Sequence, residues 1–270
     1  MLNVKNLSIS FSDRGVLEEA VKHVTFSMQQ GEILGIVGES GSGKTLTALT
    51  IAGLLKANAS LESGEILLEE TDLLKLSKKE WREYQGNQIS MIFQEPMTAL
   101  NPTMKIGRQV EEALLLHIKM SKAERKKLAL EALEDVELEN AEDLYNKYPH
   151  ELSGGMRQRV MIASAIISRP KLLIADEPTT ALDVNTQESI IQLLKKLNQK
   201  YQVGILFISH NLRVVKSLCE NVLVMKDGCI IERGRADEIF DNPQEEYTKQ
   251  LINAIPTRTK HNKYYELLME

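Results

Sequence analysis

The chain has 270 residues, long enough for one large domain or two small ones with a sizeable core. Hydrophobic residues make up 43% and charged residues 26%, so a disordered, collagen-like or coiled-coil protein is excluded. The 33 Lys and Arg against 38 Asp and Glu give a formal net charge of -5, which leaves no global basic field for a phosphate backbone. Nucleic acid is therefore not an expected partner.

Cysteine content and hydropathy bear on location. Cys219 and Cys229 match neither a disulfide framework nor a paired zinc site, which favours a reducing, cytosolic environment. No apolar run approaches the roughly 18 residues of a membrane-spanning helix, and the first residues lack a signal-peptide pattern. We expect any membrane-spanning part to belong to another chain.

Hydrophobic periodicity predicts an α/β fold with two kinds of sheet. A buried parallel sheet is predicted from short apolar runs at 33–37, 89–93, 172–175 and 205–208. Half-exposed antiparallel strands are predicted from alternating patterns at 2–12, 20–28 and 64–68. A helical insertion is predicted from the segments 106–116, 122–136 and 142–148, which are rich in Ala, Leu, Glu and Lys.

The motif G-x-x-x-x-G-K-[ST] occurs at residues 38–45, between the predicted strand 33–37 and a helical pattern at 46–55. Its glycines let backbone N–H groups curl around phosphate oxygens, and the helix N-terminus adds partial positive charge. A nucleoside triphosphate is the expected ligand, with Lys44 at its β- and γ-phosphates and Thr45 ligating Mg²⁺. The expected contact residues are Gly38, Glu39, Ser40, Gly41, Ser42, Gly43, Lys44 and Thr45.

Polar residues follow three of the other predicted strands. Asp176 and Glu177 end one strand, and we expect Asp176 to hold Mg²⁺ through its water shell and Glu177 to act as general base. Gln94 follows a second strand and could bridge Mg²⁺ and the attacking water. His210 follows a third and could hydrogen-bond a γ-phosphate or a base. Because parallel strands end at one edge, we expect these residues around one crevice.

A second anion-binding helix terminus is predicted at Ser153, Gly154 and Gly155, before a helical pattern at 160–167. Taken alone, such a sequence is better explained by a plain helix cap. Since the phosphate loop already serves this chain's own nucleotide, the expected target is the nucleotide of a second chain.

Together, these motifs resemble the nucleotide-binding subunits of ATP-binding cassette (ABC) transporters. The set comprises residues 38–45, Gln94, the signature-like LSGGMRQ at 152–158, residues 172–177, Asp183 and His210. The resemblance covers residues 2–256 and implies a phosphate-loop NTPase core with a mixed, mainly parallel sheet. It also implies an N-terminal antiparallel β subdomain and a helical subdomain at about 95–166, followed by a polar tail at 257–270.

The resemblance further implies an ATPase of two chains closed head to tail around two ATP molecules, with Mg²⁺. Phe11 would stack on adenine, although a core role for this ring is the alternative. Asp183 would couple the two sites across the dimer, and His210 would hold the γ-phosphate. The implied partners are a second cassette subunit, identical or different, two permeases and an external substrate-binding protein, at the cytoplasmic face of the membrane.

Residues 94–102 and 246–256 resemble the subgroup serving bacterial peptide and nickel importers. Peptide-importer members often carry a cysteine cluster in a longer tail, and this tail has no cysteine. That departure favours nickel or metal-chelate import, with short-peptide import as the alternative. A soluble cassette ATPase acting on ribosomes or DNA is a second hypothesis, and a small-molecule kinase, which leaves 152–158 unexplained, is a third.

Overall fold

The computed structural model describes residues 1–13, 16–55, 57–180 and 182–254. The strands are β1 (Leu2–Asp13), β2 (Val16–Met28), β3 (Ile33–Val37), β4 (Ala59–Leu68), β5 (Thr71–Asp72), β6 (Ile89–Ile92), β7 (Leu172–Asp176), β8 (Gly204–Ile208), β9 (Asn221–Lys226) and β10 (Cys229–Arg235). The helices are α1 (Lys44–Ile51), α2 (Lys78–Tyr84), α3 (Pro96–Ala99), α4 (Ile106–Val110), α5 (Glu112–His117), α6 (Lys122–Asp135), α7 (Ala141–Asn146), α8 (Gly154–Ile166), α9 (Val184–Tyr201), α10 (Leu212–Leu218), α11 (Ala236–Asp241) and α12 (Glu246–Asn253). The predicted tail at 257–270 lies outside the described residues.

The larger sheet has the strand order β10-β9-β3-β8-β7-β6, and all of its pairings are parallel except that of β9 with β10. The predicted strands at 33–37, 89–93, 172–175 and 205–208 all belong to it, so the mixed, mainly parallel sheet is confirmed. β6 ends one residue earlier than predicted, because the side chain of Phe93 points into solvent, with 41% of its surface exposed.

The smaller sheet is antiparallel, with the order β2-β1-β4-β5. It confirms the predicted N-terminal antiparallel strands. β4 begins at Ala59 rather than at Gly64, because the strand continues through an irregular register at this glycine. Gly64 has φ +126, and a Cβ there would lie 2.7 Å from Leu7 Cα, so no side chain fits at this crossing.

Helices α3 to α8 lie between β6 and β7, where the helical insertion was predicted. The predicted helix 106–116 is interrupted at Glu111, which separates α4 from α5. Glu111 nevertheless has helical dihedrals, and Leu115 N–H donates to its carbonyl at 2.9 Å. Its carboxylate is 2% exposed and accepts a hydrogen bond from Tyr145 of α7, which ties the two segments to the rest of the insertion.

Two apolar cores cover opposite faces of the larger sheet. Side chains along β3 alternate, so that Ile33 and Val37 join one core and Leu34 and Ile36 join the other. The first core is shared with α4, α6 and α8 of the helical insertion, and the second is shared with the smaller sheet and α1. The carboxyl ends of β3, β6, β7 and β8 are thereby held at one edge.

Within the described ranges, no helix combines the length and the apolar character needed to cross a bilayer.

Candidate nucleotide-binding site

The phosphate loop, residues 38–43, joins β3 to α1 and packs against β9 and β2. A Cβ at Gly38, which has φ +153, would lie 2.2 Å from the carbonyl oxygen of Met225 in β9. A Cβ at Gly43, with φ +96, would lie 2.7 Å from the carbonyl oxygen of Ala20 in β2. Only glycine fits at these two positions, since both the dihedral and the space exclude a side chain.

Lys44 begins α1 and is folded back onto its own loop. Its ammonium group donates to the carbonyls of Gly38 at 2.8 Å and Glu39 at 2.7 Å, and to Ser42 Oγ at 3.3 Å. Burial lowers the pKa of Lys44, while the nearby carboxylates of Glu177 and Asp176 act in the opposite direction. The loop therefore holds a buried cation whose partners are mostly neutral oxygens.

Thr45 and Asp176 bring α1 and β7 together. Thr45 Oγ1 donates a hydrogen bond of 3.2 Å to Asp176 Oδ1. Asp176 is 6% exposed, and its burial raises the pKa of the carboxyl group, with the hydrogen bond from Thr45 opposing that shift. This places a hydroxyl and a carboxylate side by side at the start of the phosphate-loop helix.

Glu177 lies at the centre of a hydrogen-bond cluster and has φ +47, a left-handed conformation that is strained for a residue with a side chain. Its Oε2 accepts from Gln94 Nε2 at 3.1 Å and from Thr180 Oγ1 at 2.9 Å. Its Oε1 lies 3.1 Å from His210 Nδ1. Residues from three strand ends thus meet at one carboxylate, as the strand-end argument predicted.

One cavity of about 570 Å³ joins these groups to the phosphate loop. Phe11 is half-buried on its wall, and neither apolar core formed by the described residues includes this ring. The cavity is lined by Phe11, Ala20, Ser40, Gly41, Gly43, Lys44, Thr45, Leu46, Leu49, Gln94, Glu177, Thr180 and His210.

Ser153 and Gly155 line a different cavity, of about 690 Å³, and Gly154 begins the helix between them. Ser153 is the N-cap of α8, and its hydroxyl accepts from Met156 N–H at 3.3 Å. A Cβ at Gly154 would meet no atom of the described residues within 4 Å. The residues at 153–155 are therefore not brought to this chain's own phosphate loop.

Asp183 is hydrogen-bonded to Thr186, which lines the second cavity. It caps α9, and its carboxylate accepts from the backbone and hydroxyl of Thr186 at 3.0 and 2.6 Å. The bond from the Thr186 hydroxyl is the largest cause that lowers the pKa of Asp183, and the bond from the Thr186 backbone acts in the same direction. A Cβ at Gly155 would lie 3.1 Å from Thr186 Cγ2, so Thr186 connects Asp183 to the start of α8.

Two contacts of the site escaped the sequence analysis. Thr180 holds Glu177 by the bond described above, and its position three residues later could have suggested it. Tyr247 of α12 accepts a hydrogen bond of 3.0 Å from Glu39 N–H, and the two residues are 208 positions apart in the chain. No local sequence pattern predicts such a contact.

Comparisons with known proteins agree with this architecture. The dimeric structure of a post-hydrolysis ATP-binding cassette bound to ADP and Pi is 33% identical, with a TM-score of 0.78, over 87% of this chain and 99% of that one. A cassette subunit of the cbiONQ ABC transporter complex of Clostridium perfringens is 28% identical, with a TM-score of 0.77, over 97% of this chain and 98% of that one.

Two curated relatives are considerably more similar. The oligopeptide transport ATP-binding protein OppD of Bacillus subtilis is 50% identical over 95% of this chain and 72% of its own length. The dipeptide transport ATP-binding protein DppD of Lactococcus lactis is 48% identical over 95% of this chain and 74% of its own length. The ABC transporter family model matches residues 21–180. The chain therefore belongs to the ABC transporter family, as an ATP-hydrolysing subunit of an importer.

Proposed function

We propose that this chain energises the uptake of short peptides through partner permeases. The observation that carries the catalytic part is the convergence of the phosphate loop, Gln94, Glu177 and His210 on one cavity. The cargo class rests on the peptide-transport relatives. Those relatives are longer than the stretch they share with this chain, so a cysteine cluster in their longer tails would lie outside the shared stretch. The lack of cysteine in residues 257–270 therefore does not favour nickel over peptides.

The site fits ATP with Mg²⁺. The hydroxyl of Thr45, the carboxylate of Asp176 and the side-chain oxygen of Gln94 are the oxygen donors that Mg²⁺ prefers. In the described part of the chain, no group of three or more His, Cys, Asp or Glu is placed to hold a metal ion. Mg²⁺ in nucleotide sites is commonly held by few protein oxygens, with phosphates and water completing its coordination. When bound, Mg²⁺ would neutralise charge on the β- and γ-phosphates.

We assign Glu177 as the general base that accepts a proton from the attacking water. The amide nitrogen of Gln94 is directed at Glu177, which leaves its amide oxygen to orient that water or to reach the metal. His210 contacts the other carboxylate oxygen and is placed to hydrogen-bond the γ-phosphate. Lys44 would exchange loop carbonyls for phosphate oxygens, and Phe11 would stack on adenine.

We further propose that two cassettes close head to tail, so that residues 153–155 of one chain contact the nucleotide of the other. The separation of Ser153 and Gly155 from the phosphate-loop cavity supports this arrangement. The open space over Gly154 leaves room for a phosphate to approach the start of α8. The link from Asp183 through Thr186 to Gly155 supports the role of Asp183 in coupling the two sites.

We propose residues 95–166 as a helical subdomain that receives a permease. A groove of about 280 Å³ between this region and the sheet edge contains Met91, Leu100 and Met161. Leu54 and Phe93 line the same groove and are 39% and 41% exposed, although both are apolar. A permease segment docked there would place the chain at the cytoplasmic face of the membrane, with two permeases, a second cassette and an external binding protein as its partners.

The test is to express tagged Glu177→Gln chain in its host, extract membranes in detergent with ATP, and identify co-purifying proteins by mass spectrometry. Recovery of two multi-spanning permeases and a second cassette subunit is the expected result. The binding protein encoded with them is then titrated with short peptides and with nickel chelates. Binding of nickel chelates alone would overturn the peptide cargo, and recovery of ribosomes or DNA-repair proteins without permeases would overturn the transport role.

A further inference from the structure

Helix α12 contacts the phosphate loop through one hydroxyl group. Tyr247 Oη accepts a hydrogen bond of 3.0 Å from the backbone N–H of Glu39, the second residue of the loop. The side chain of Tyr247 is 9% exposed and belongs to the core that α12 shares with the larger sheet. The contact therefore joins a solvent-exposed part of the loop to a buried side chain.

Glu39 is held from its other side by the loop lysine. Its carbonyl oxygen accepts from Lys44 Nζ at 2.7 Å and from Ser42 N–H at 3.2 Å. The backbone of this one residue thus lies between Tyr247 and Lys44. A displacement of Glu39 would alter the position of the carbonyl that receives the lysine.

The support behind Tyr247 does not depend on its hydroxyl. The carboxylate of Glu232 in β10 accepts from the backbone N–H groups of Gln244 at 2.7 Å and Glu245 at 3.2 Å, which fixes the start of α12. The ammonium group of Lys226 lies 4.9 Å from the centre of the Tyr247 ring. Removal of the hydroxyl alone should therefore leave the ring and the helix in place.

A loop rich in glycine needs such a brace. Gly38, Gly41 and Gly43 all have positive φ, and glycine loses more conformational freedom on ordering than any other residue. A donor bound to a fixed hydroxyl restricts the loop more than a donor bound to water. Ordering the loop before ATP arrives lowers the entropy that binding must overcome.

We propose that Tyr247 is a positioning residue that preorganises the phosphate loop for ATP, which makes α12 part of the nucleotide-binding machinery. The inference rests on the proposed function of the loop. It assigns Tyr247 no contact with the nucleotide, because the hydroxyl acts through the peptide group of Glu39. Its effect is expected on affinity rather than on the chemical step.

The test compares Tyr247→Phe with the unsubstituted chain in the assembled transporter. We expect KM for ATP to rise about 2- to 12-fold, the factor that corresponds to one net hydrogen bond of about 0.5–1.5 kcal/mol. We expect kcat and Tm to change little. The matched control is Tyr84→Phe, which removes a hydroxyl that donates to Thr71 Oγ1 at 3.0 Å, and which should leave KM unchanged.

Two results would overturn the inference. An unchanged KM in Tyr247→Phe would remove the positioning role, and a lower Tm and kcat with the same KM would reduce the contact to a structural one. Absence of ATP hydrolysis by the unsubstituted transporter would instead overturn the proposed function and, with it, the role of Tyr247.

Discussion

Thr45 Oγ1 donates a hydrogen bond of 3.2 Å to Asp176 Oδ1, which connects the first turn of α1 to the end of β7. The two residues lie 131 positions apart, and both are placed by the parallel sheet rather than by local structure. A hydroxyl and a carboxylate at this distance form a pair of oxygen donors suited to Mg²⁺ and its water shell.

Replacement of Thr45 by Val keeps the shape of the side chain and removes the hydroxyl oxygen. We expect the Mg²⁺ concentration for half-maximal ATPase activity to rise at least tenfold. A tenfold loss of affinity corresponds to about 1.4 kcal/mol, and the loss of one direct ligand should cost at least that much. Titration of ATPase rate against Mg²⁺ measures it. Thr45→Ser is the control, since it retains the oxygen. Equal titration curves for Val and wild type would exclude Thr45 from the metal site.

Replacement of Glu177 by Gln removes the general base and preserves the size of the side chain. We expect hydrolysis to fall by about 10² or more while ATP binding persists, because the phosphate loop is untouched. Single-turnover hydrolysis and equilibrium binding of labelled ATP measure the two quantities. Glu70→Gln, an exposed change between β4 and β5, is the control and should behave as wild type. Near-normal turnover in Glu177→Gln would remove Glu177 from its assigned role.

Replacement of Gly154 by Asp tests the second chain's access to α8. The new carboxylate meets open space within the monomer and favours a helix N-terminus, so Tm should not fall. Its charge would oppose an approaching phosphate, so ATP-dependent dimerisation and hydrolysis should be lost while the monomer still binds ATP. Lys122→Asp, at the first residue of α6, is the control. ATP-dependent dimers of Gly154→Asp, detected by light scattering, would contradict the head-to-tail arrangement.

Replacement of Tyr145 by Phe tests the buried contact inside the helical insertion. The change leaves the 2% exposed Glu111 without its hydroxyl donor, and we expect the free energy of unfolding to fall by about 1–3 kcal/mol. Burial, followed by the bond to Glu111, raises the pKa of Tyr145 from 10.0 to about 12. The stability that Tyr145 contributes is therefore complete below pH 10 and is lost as the pH rises towards 12.

Urea unfolding at several pH values between 9 and 12 measures this contribution. The difference in free energy of unfolding between wild type and Tyr145→Phe should narrow above pH 10. Tyr84→Phe, which removes a half-buried hydroxyl that donates to Thr71, serves as the control. A difference that stays constant across this range would show that Tyr145 does not keep its proton preferentially in the folded state.

The site was predictable where it follows from one rule of sheet geometry. Gln94, Glu177 and His210 each follow a predicted parallel strand, so their meeting at one edge needed only the identification of those strands. The phosphate loop was predictable because strand, glycines and helix are contiguous in sequence. The hairpin of β9 and β10 was overlooked, although Asp227-Gly228 between apolar runs is a strong turn signal.

Other contacts depend on tertiary packing and had no periodic signal. The hydrogen bond from Glu39 to Tyr247 can be predicted only if the packing of α12 against the larger sheet is known. In the local sequence, Tyr247 is indistinguishable from any other core-facing residue of a short helix. The helix interruption at Glu111 also has no signal in the sequence, since the Ala, Leu and Glu pattern there is that of a continuous helix. Both depend on partners that are distant in the chain.

The larger sheet contributes side chains to both apolar cores, and this has a consequence for how the molecule unfolds. Ile33 and Leu34 are neighbours in one strand, yet each is buried by a different layer of the protein. Loss of either layer would expose a full face of β3, β7 and β8 to water, and the one remaining layer could not cover that face. The nucleotide-binding edge, the antiparallel sheet and the inserted helices are therefore expected to melt in one cooperative transition, and tight ATP binding at the edge should raise the melting temperature of all three together.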